Sequence, residues 1–204
     1  GARGSYTAIG PNWANAAASP GTFYKFYAGE GGVRVPLIVS GPSIQENKIE
    51  NSFAHIKDIV PTILQLSGTP DHQGNFHGKT VMPITGASLY PVLQGKKSVT
   101  HGKEKYIGYE LAGNAALYKG DYKLLKNLPP LGDGEWHLYN ITADPGEHQD
   151  LRDVFPMLTE QMIAHYNRYA EAHGVLEMPE GYNYIKQATF YSAKLILLRN
   201  LPYI

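Results

Sequence analysis

Three observations in the sequence predict an α/β protein that carries a small antiparallel subdomain. The pair Gly31-Gly32 is followed by Val33, Val35, Leu37, Ile38 and Val39, a nearly continuous apolar run of the kind found in a strand buried on both faces of a sheet. From Lys103 onward the apolar spacing shortens, and Tyr106 to Glu110, Ala115 to Lys119, Tyr122 to Lys126 and Glu135 to Tyr139 read as four short strands. Around Pro156, which opens a helix, the side chains of Phe155, Leu158, Met162, Ile163, Tyr166 and Tyr169 recur at intervals of three and four, which predicts one amphipathic helix covering that sheet.

In chain order, residues 1–22 are rich in small side chains and show no sustained period, so they read as a loop with Trp13 as its anchor. Gly31 and Gly32 are expected to bend tightly, to take positive φ and to admit close approach to the backbone. Pro36 interrupts the first strand and makes its pairing edge-like or bulged, and Gly41-Pro42 ends it. Asp58 is placed to cap a helix starting at Ile59, with Pro61 in the first turn, Val60, Ile63, Leu64 and Leu66 on the apolar side, and Gly68 as the stop. Ser88, Pro91 and Gly95 repeat that cap, first turn and stop. Residues 69–87, with His72 and His77, read as a long loop, and solvated histidines are the default there rather than metal ligands. Gly120-Asp121 is a hairpin turn, Asp144-Pro145-Gly146 another turn, and Gly174 ends the last helix. The sequon Asn140-Ile141-Thr142 falls at a strand end and is read as unglycosylated. Beyond Tyr182 the chain is basic, with Lys186, Lys194 and Arg199 and the run Leu195 to Leu198, which is too short to span a bilayer.

Composition narrows the chemistry further. Lysine plus arginine and aspartate plus glutamate each total 18 of 204 residues, so no global basic field gathers nucleic acid. The absence of cysteine excludes disulfides, thiolate metal sites and a cysteine nucleophile within these residues. No charged stretch followed by an apolar core opens the chain as a signal peptide would. Fifteen tyrosines, 22 glycines and 14 prolines fit a fold rich in turns.

Three stretches carry a resemblance. W-A-N-A-A-A-S-P-G-T-F-Y-K followed by E-G-G-V-R-V-P (Trp13 to Pro36) resembles the segment of type I sulfatases, arylsulfatases in particular, in which a lysine precedes a G-G-x-R-x-P strand. Lys25 stands six positions before Gly31, as the lysine of that family stands before its glycine pair. Ser52 to Gly68 is similar to the helix that follows the strand in the family, and His137 to Leu151 is similar to its L-Y-D-L-x-x-D-P-x-E signature. Together these cover most of residues 13–175 in the family's order.

The resemblance implies the C-terminal part of an alkaline-phosphatase-like sulfatase fold. Residues 1–100 are then the end of the large α/β catalytic domain, 101–175 a subdomain of about four antiparallel strands on one helix, and 176–204 a basic apolar tail. It implies hydrolysis of a sulfate ester on a small molecule or a carbohydrate, with Lys25 contacting the sulfate. It also implies a formylglycine nucleophile from a C/S-x-P-x-R motif and a calcium ion held by carboxylates and an amide. None of those latter parts occurs in this sequence, so they are expected upstream of Gly1, on the N-terminal part of the same enzyme, and the chain alone is expected to be inactive. Arg34 and Pro36 match the pattern and are read as structural. A periplasmic or secreted location is what the family implies, with no membrane or nucleic-acid partner. Two alternatives stand: a phosphonate or phosphate monoester hydrolase of the same superfamily, and a non-catalytic binding or assembly module.

Overall fold

A computed structural model describes residues 9–179, 181–183 and 186. The chain divides into two compact units, one formed by residues 1–35 with 106–204 and the other by Pro36–Lys105. The basic tail beyond Tyr182 lies almost wholly outside the described residues.

The first unit is built on a four-stranded antiparallel sheet in sequential order: β3 (Tyr106–Leu111), β4 (Asn114–Lys119), β5 (Tyr122–Lys126) and β6 (His137–Asn140). All four predicted strands are present, with the last beginning two residues later than expected. The register sets Leu117 opposite Leu124 and Leu124 opposite Leu138. One apolar row therefore crosses three strands on a single face. Against it lies α5 (Pro156–His173), whose Met162 and Tyr166 join Ala115, Leu117, Leu124 and Leu138 in the core. Pro156 opens this helix where its missing N–H costs nothing, and Gly174 ends it at φ 64°. Gly108 lets β3 approach the helix, since a Cβ there would lie 2.5 Å from the Tyr169 ring.

The other face of the sheet is mixed: Ile107, Ala116 and Leu125 are buried there beside polar and charged side chains. Tyr118 of β4 pairs with Lys123 of β5, and Lys123 pairs with Tyr139 of β6, so a lysine stands mid-sheet between two tyrosines. Against this face lie residues 26–30, which lead into α2 (Glu30–Val33); α1 (Gly10–Ala18) precedes them and buries none of its residues.

Three expectations for this region are corrected. The first 22 residues hold a helix, α1, because Ala14 and Ala16 to Ala18 carry high helix propensity and Pro11 suits a first turn; Trp13 is 74% exposed and anchors nothing. Gly31 and Gly32 form the turn of α2 rather than a loop, and neither has positive φ. Residues 34–40 form no strand, and Ile38 is 93% exposed. An apolar sequence becomes a strand only when a neighbouring strand supplies its ladder, and no described residue does so here.

In the second unit, α3 (Ile59–Ser67) follows a single 3₁₀ turn at Ile56–Asp58 and stops at Gly68, φ 66°. A two-residue hairpin, β1 (Asn75–Phe76) with β2 (Lys79–Thr80), occupies part of the stretch read as loop, and α4 (Tyr90–Leu93) carries Pro91 in its first turn. The Ser88 hydroxyl accepts the Tyr90 N–H at 3.2 Å. Asp58 precedes α3 but makes no side-chain cap on it. Its buried carboxylate instead accepts N–H bonds from His55 (2.8 Å), Ala87 (2.8 Å) and the His101 ring (Nε2, 2.7 Å). Burial pushes the Asp58 carboxyl up, but the bonds from His101, Ala87 and His55 outweigh it and hold the group below the usual carboxylate range. Three chain segments are thus tied by one side chain. The apolar side expected for α3 is largely uncovered, with Val60, Ile63 and Leu66 exposed and only Thr62 buried.

The cross-strand row on the helix side should dominate the stability of the first unit. Leu124→Ala is expected to lower the unfolding free energy by about 2–5 kcal/mol in urea titrations, and a change under about 0.5 kcal/mol would mean that α5 does not pack there.

Candidate functional site

Lys25 lies in a tight turn from Tyr24 to Tyr27, closed by the Tyr27 N–H donating to the Tyr24 carbonyl at 3.0 Å. Phe26, the third residue of that turn, has φ 87°, the left-handed value of a type II turn that glycine or asparagine normally fills. Phe23, just before the turn, has φ 64°. Two bulky residues in the left-handed region cost on the order of 1–3 kcal/mol each, and such strain persists only where surrounding contacts hold it. The Lys25 side chain is exposed, with Nζ 5.6 Å from the centre of the Phe26 ring.

The contacts that hold the turn come from the sheet face described above. Downstream, the Asn114 amide donates to the Phe26 carbonyl (2.9 Å) and the Ala28 N–H donates to Asn127 Oδ1 (2.8 Å). Upstream, the Thr22 hydroxyl donates to Glu147 Oε2, and the same oxygen accepts the Glu30 N–H at 2.9 Å. The Gly31 N–H closes onto the Thr22 carbonyl at 2.8 Å. These approaches explain the glycine pair: a Cβ on Gly31 would meet the Phe23 carbonyl at 2.4 Å, and one on Gly32 the Tyr27 carbonyl at 2.1 Å. Of the properties expected of Gly31 and Gly32, close approach is the one used here.

Beneath the turn is a buried ionic cluster. Lys123 is 0% exposed, and its ammonium donates to Glu30 Oε1 (2.8 Å) and Glu147 Oε1 (2.7 Å). An isolated buried ammonium would cost several kcal/mol in lost hydration, and short bonds to two carboxylates are what offset it. Two carboxylates exceed one ammonium by a charge, and the surplus meets the Thr22 hydroxyl, the Glu30 N–H and the Tyr118 hydroxyl, which donates to Glu30 Oε1 at 3.2 Å. Arg34 adds a half-exposed charge 3.7 Å from Glu30 Oε2, which fits its reading as structural. Burial, then the charges of Glu30 and Glu147, push the Tyr118 hydroxyl well above the usual tyrosine range, so it stays a donor.

Phe23 also walls an open cleft of about 220 Å³ with Leu125, Asn127, Asp133, His137 and Tyr139. His137 Nδ1 lies 2.8 Å from Asp150, and Nε2 lies 3.0 Å from both oxygens of Asp133. Since carboxylates only accept, both ring nitrogens donate, which describes an imidazolium. Burial lowers the His137 pKa, but the bonds to Asp133 and Asp150 outweigh it and raise it above the ordinary value. Tyr139 is pushed up to about 12, by burial first and then by the charges of Asp150 and Glu147.

Among the described residues no group of three or more His, Asp or Glu side chains is placed to hold a metal ion. The described residues by themselves therefore do not make a calcium-type donor set. The expected site residue, Lys25, is thus exposed on a strained and heavily anchored turn. Thr22, Glu30, Asn114, Lys123, Asn127 and Glu147 were not read as site residues from sequence. Glu30 and Glu147 lie inside the quoted motifs, and Lys123 shares a strand face with Leu125, an apolar neighbour that is itself a signal for a buried lysine.

The sheet, its covering helix and the lysine-bearing segment together have the fold of a sulfatase C-terminal region. A structure from work on the metabolism of multiple glycosaminoglycans by Bacteroides thetaiotaomicron superposes with a TM-score of 0.57 at 21% identity, covering 75% of this chain and 32% of that one. In sequence the chain is 33% identical over 180 residues to an uncharacterized sulfatase of Schizosaccharomyces pombe, covering 87% of this chain. It is 32% identical over 98 residues (47% of this chain) to an arylsulfatase of Klebsiella aerogenes, and 25% identical over 164 residues (78%) to human arylsulfatase K. Sulfatase relatives thus cover most of this chain, as they would a part of a sulfatase-family protein. The chain spans 32%, 21% and 28% of the lengths of those three relatives. No family model matches it.

Two measurements probe the electrostatics. Lys123→Ala should cost about 3–5 kcal/mol of unfolding free energy by leaving two buried carboxylates facing each other. A near-neutral result would mean that water reaches the cluster. For His137, whose pKa is raised on folding, the stabilisation is fully present below the ordinary histidine value of 6.5 and is lost as pH rises through the raised value. The stability difference between the native chain and His137→Asn should therefore shrink as pH increases across and above that value. A difference that grows with pH would contradict the paired imidazolium.

Proposed function

We propose that this chain is the C-terminal part of a sulfuric-ester hydrolase and that Lys25 is its contact to the sulfate. The observation that carries the reading is the turn itself: an exposed ammonium held on two left-handed phenylalanines, with anchors on both sides. Strain of this kind persists at sites that need one geometry. Sulfuryl transfer, treated by analogy with phosphoryl transfer, spreads charge over the peripheral and leaving oxygens. A compact ammonium with three donors suits such diffuse charge.

The substrate is a sulfate ester of a small molecule or a carbohydrate. The cleft beside the turn, apolar at Phe23 and Leu125 and polar at Asn127, Asp133, His137 and Tyr139, suits the ring that carries the ester. The nucleophile and metal ligands come from residues outside this chain, in the N-terminal part of the same enzyme, so the chain alone is inactive. In that enzyme residues 1–100 complete the large α/β domain, 101–175 form the small subdomain and 176–204 the tail. We place the enzyme in a periplasmic or secreted setting; among the described residues no helix is long and apolar enough to cross a membrane.

In the full-length protein, Lys25→Ala should lower kcat/KM toward an aryl sulfate by about 10²–10³-fold, as loss of a transition-state charge contact does. A near-normal rate would sink the assignment. Parallel assays on aryl phosphates and phosphonates address the alternative within the superfamily, which predicts the larger rate there.

A further inference from the structure

We infer that the buried cluster of Glu30, Lys123 and Glu147 is a positioning device for Lys25, and that Glu147 is the member through which the sheet sets the angle of the turn. The inference rests on Lys25 being the sulfate contact.

Glu147 follows the Asp144-Pro145-Gly146 turn, more than a hundred residues from Lys25, yet it is the hub of the connection. Its Oε1 meets the Lys123 ammonium on β5, while its Oε2 takes the Thr22 hydroxyl and the Glu30 N–H, which stand on the two sides of the lysine turn. One carboxylate thus clamps the base of the loop closed, and the Gly31 N–H to Thr22 carbonyl bond lies in the same place. Lys123 fixes that carboxylate in turn, because its ammonium is wholly buried and has Glu30 as second partner. If the cluster served only to join the segment to the sheet, apolar packing would do so at less desolvation cost. Carboxylate and ammonium bring direction: the bonds are short, each has one acceptor geometry, and together they define where residues 22 and 30 lie. The strained φ values at Phe23 and Phe26 lie inside the span so clamped. Without the clamp, nothing in the local sequence favours those values over ordinary ones.

In glutamine at position 147, the amide oxygen can still accept from Thr22 and the Glu30 N–H, but the amide nitrogen then faces the Lys123 ammonium, donor against donor. The clamp is frustrated with little change in volume. In the full-length protein, wild type, Lys25→Ala, Glu147→Gln and the double variant are compared for kcat and KM on 4-nitrophenyl sulfate, with thermal unfolding of each. Glu147→Gln should lower kcat by about 10²-fold, the scale of an ångström misplacement, and should lower it no further in the Lys25→Ala background. A role that is merely structural would multiply with Lys25→Ala instead, and that outcome overturns the inference while leaving the sulfate contact standing. Near-normal turnover in Lys25→Ala overturns the sulfate contact itself. If Glu147→Gln does not fold, Thr22→Val removes only the hydroxyl from Oε2; about a tenfold loss, again absent once Lys25 is alanine, is expected, and an undiminished loss there rejects the inference.

Discussion

A lysine ammonium with no exposure to water, held between two glutamates, is the interaction on which the first unit depends. The ammonium of Lys123 would be untenable alone in that position, and the two carboxylates would repel each other without it. The three come from β5, from the start of α2 and from the turn after β6, so that satisfying one charge draws three distant parts of the chain to one point. Hydrophobic burial supplies most of the cohesion on the opposite face of the sheet, where Leu117, Leu124 and Leu138 meet α5. The charged cluster supplies direction on this one.

That division explains why the sheet can be both a core and a platform. Alternation along β5 sends Leu124 to the helix and Lys123 to the segment of residues 22–34, and the pleat keeps these functions on opposite sides. The lysine turn then inherits a rigid base. Its two phenylalanines adopt backbone angles that a free peptide would avoid, and the hydrogen bonds of Asn114, Asn127 and Glu147 hold them there. The second unit uses the same economy of means in a different form: a single buried carboxylate, Asp58, ties the 3₁₀ turn, Ala87 in the approach to α4, and His101 together.

Much of the local structure was legible in the sequence. Four strands, the hairpin at Gly120-Asp121, the helix from Pro156 and the glycine stops at 68 and 174 follow from spacing and backbone preference, which act over a few residues. The family followed from three motifs and the interval between Lys25 and Gly31. Where local reading went astray, the missing information was a neighbour. The apolar run from Val35 to Val39 has strand character without a strand to pair with, and Asp58 has cap character but meets stronger partners elsewhere.

The sequence by itself determined the fold class, the small sheet with its helix, the position of the lysine and the family. The sheet and its helix rest on residue type and short-range spacing, which a linear reading retains, and the lysine and the family on the resemblance of three motifs to a known family. Only the tertiary structure decided that Glu30, Lys123 and Glu147 form one buried cluster, that Phe23 and Phe26 are strained, and that the glycine pair serves close packing in place of a left-handed turn. The physical reason is distance along the chain. Glu147 lies 117 residues from Glu30, and no periodicity or propensity links two carboxylates so far apart until folding brings both to the same ammonium.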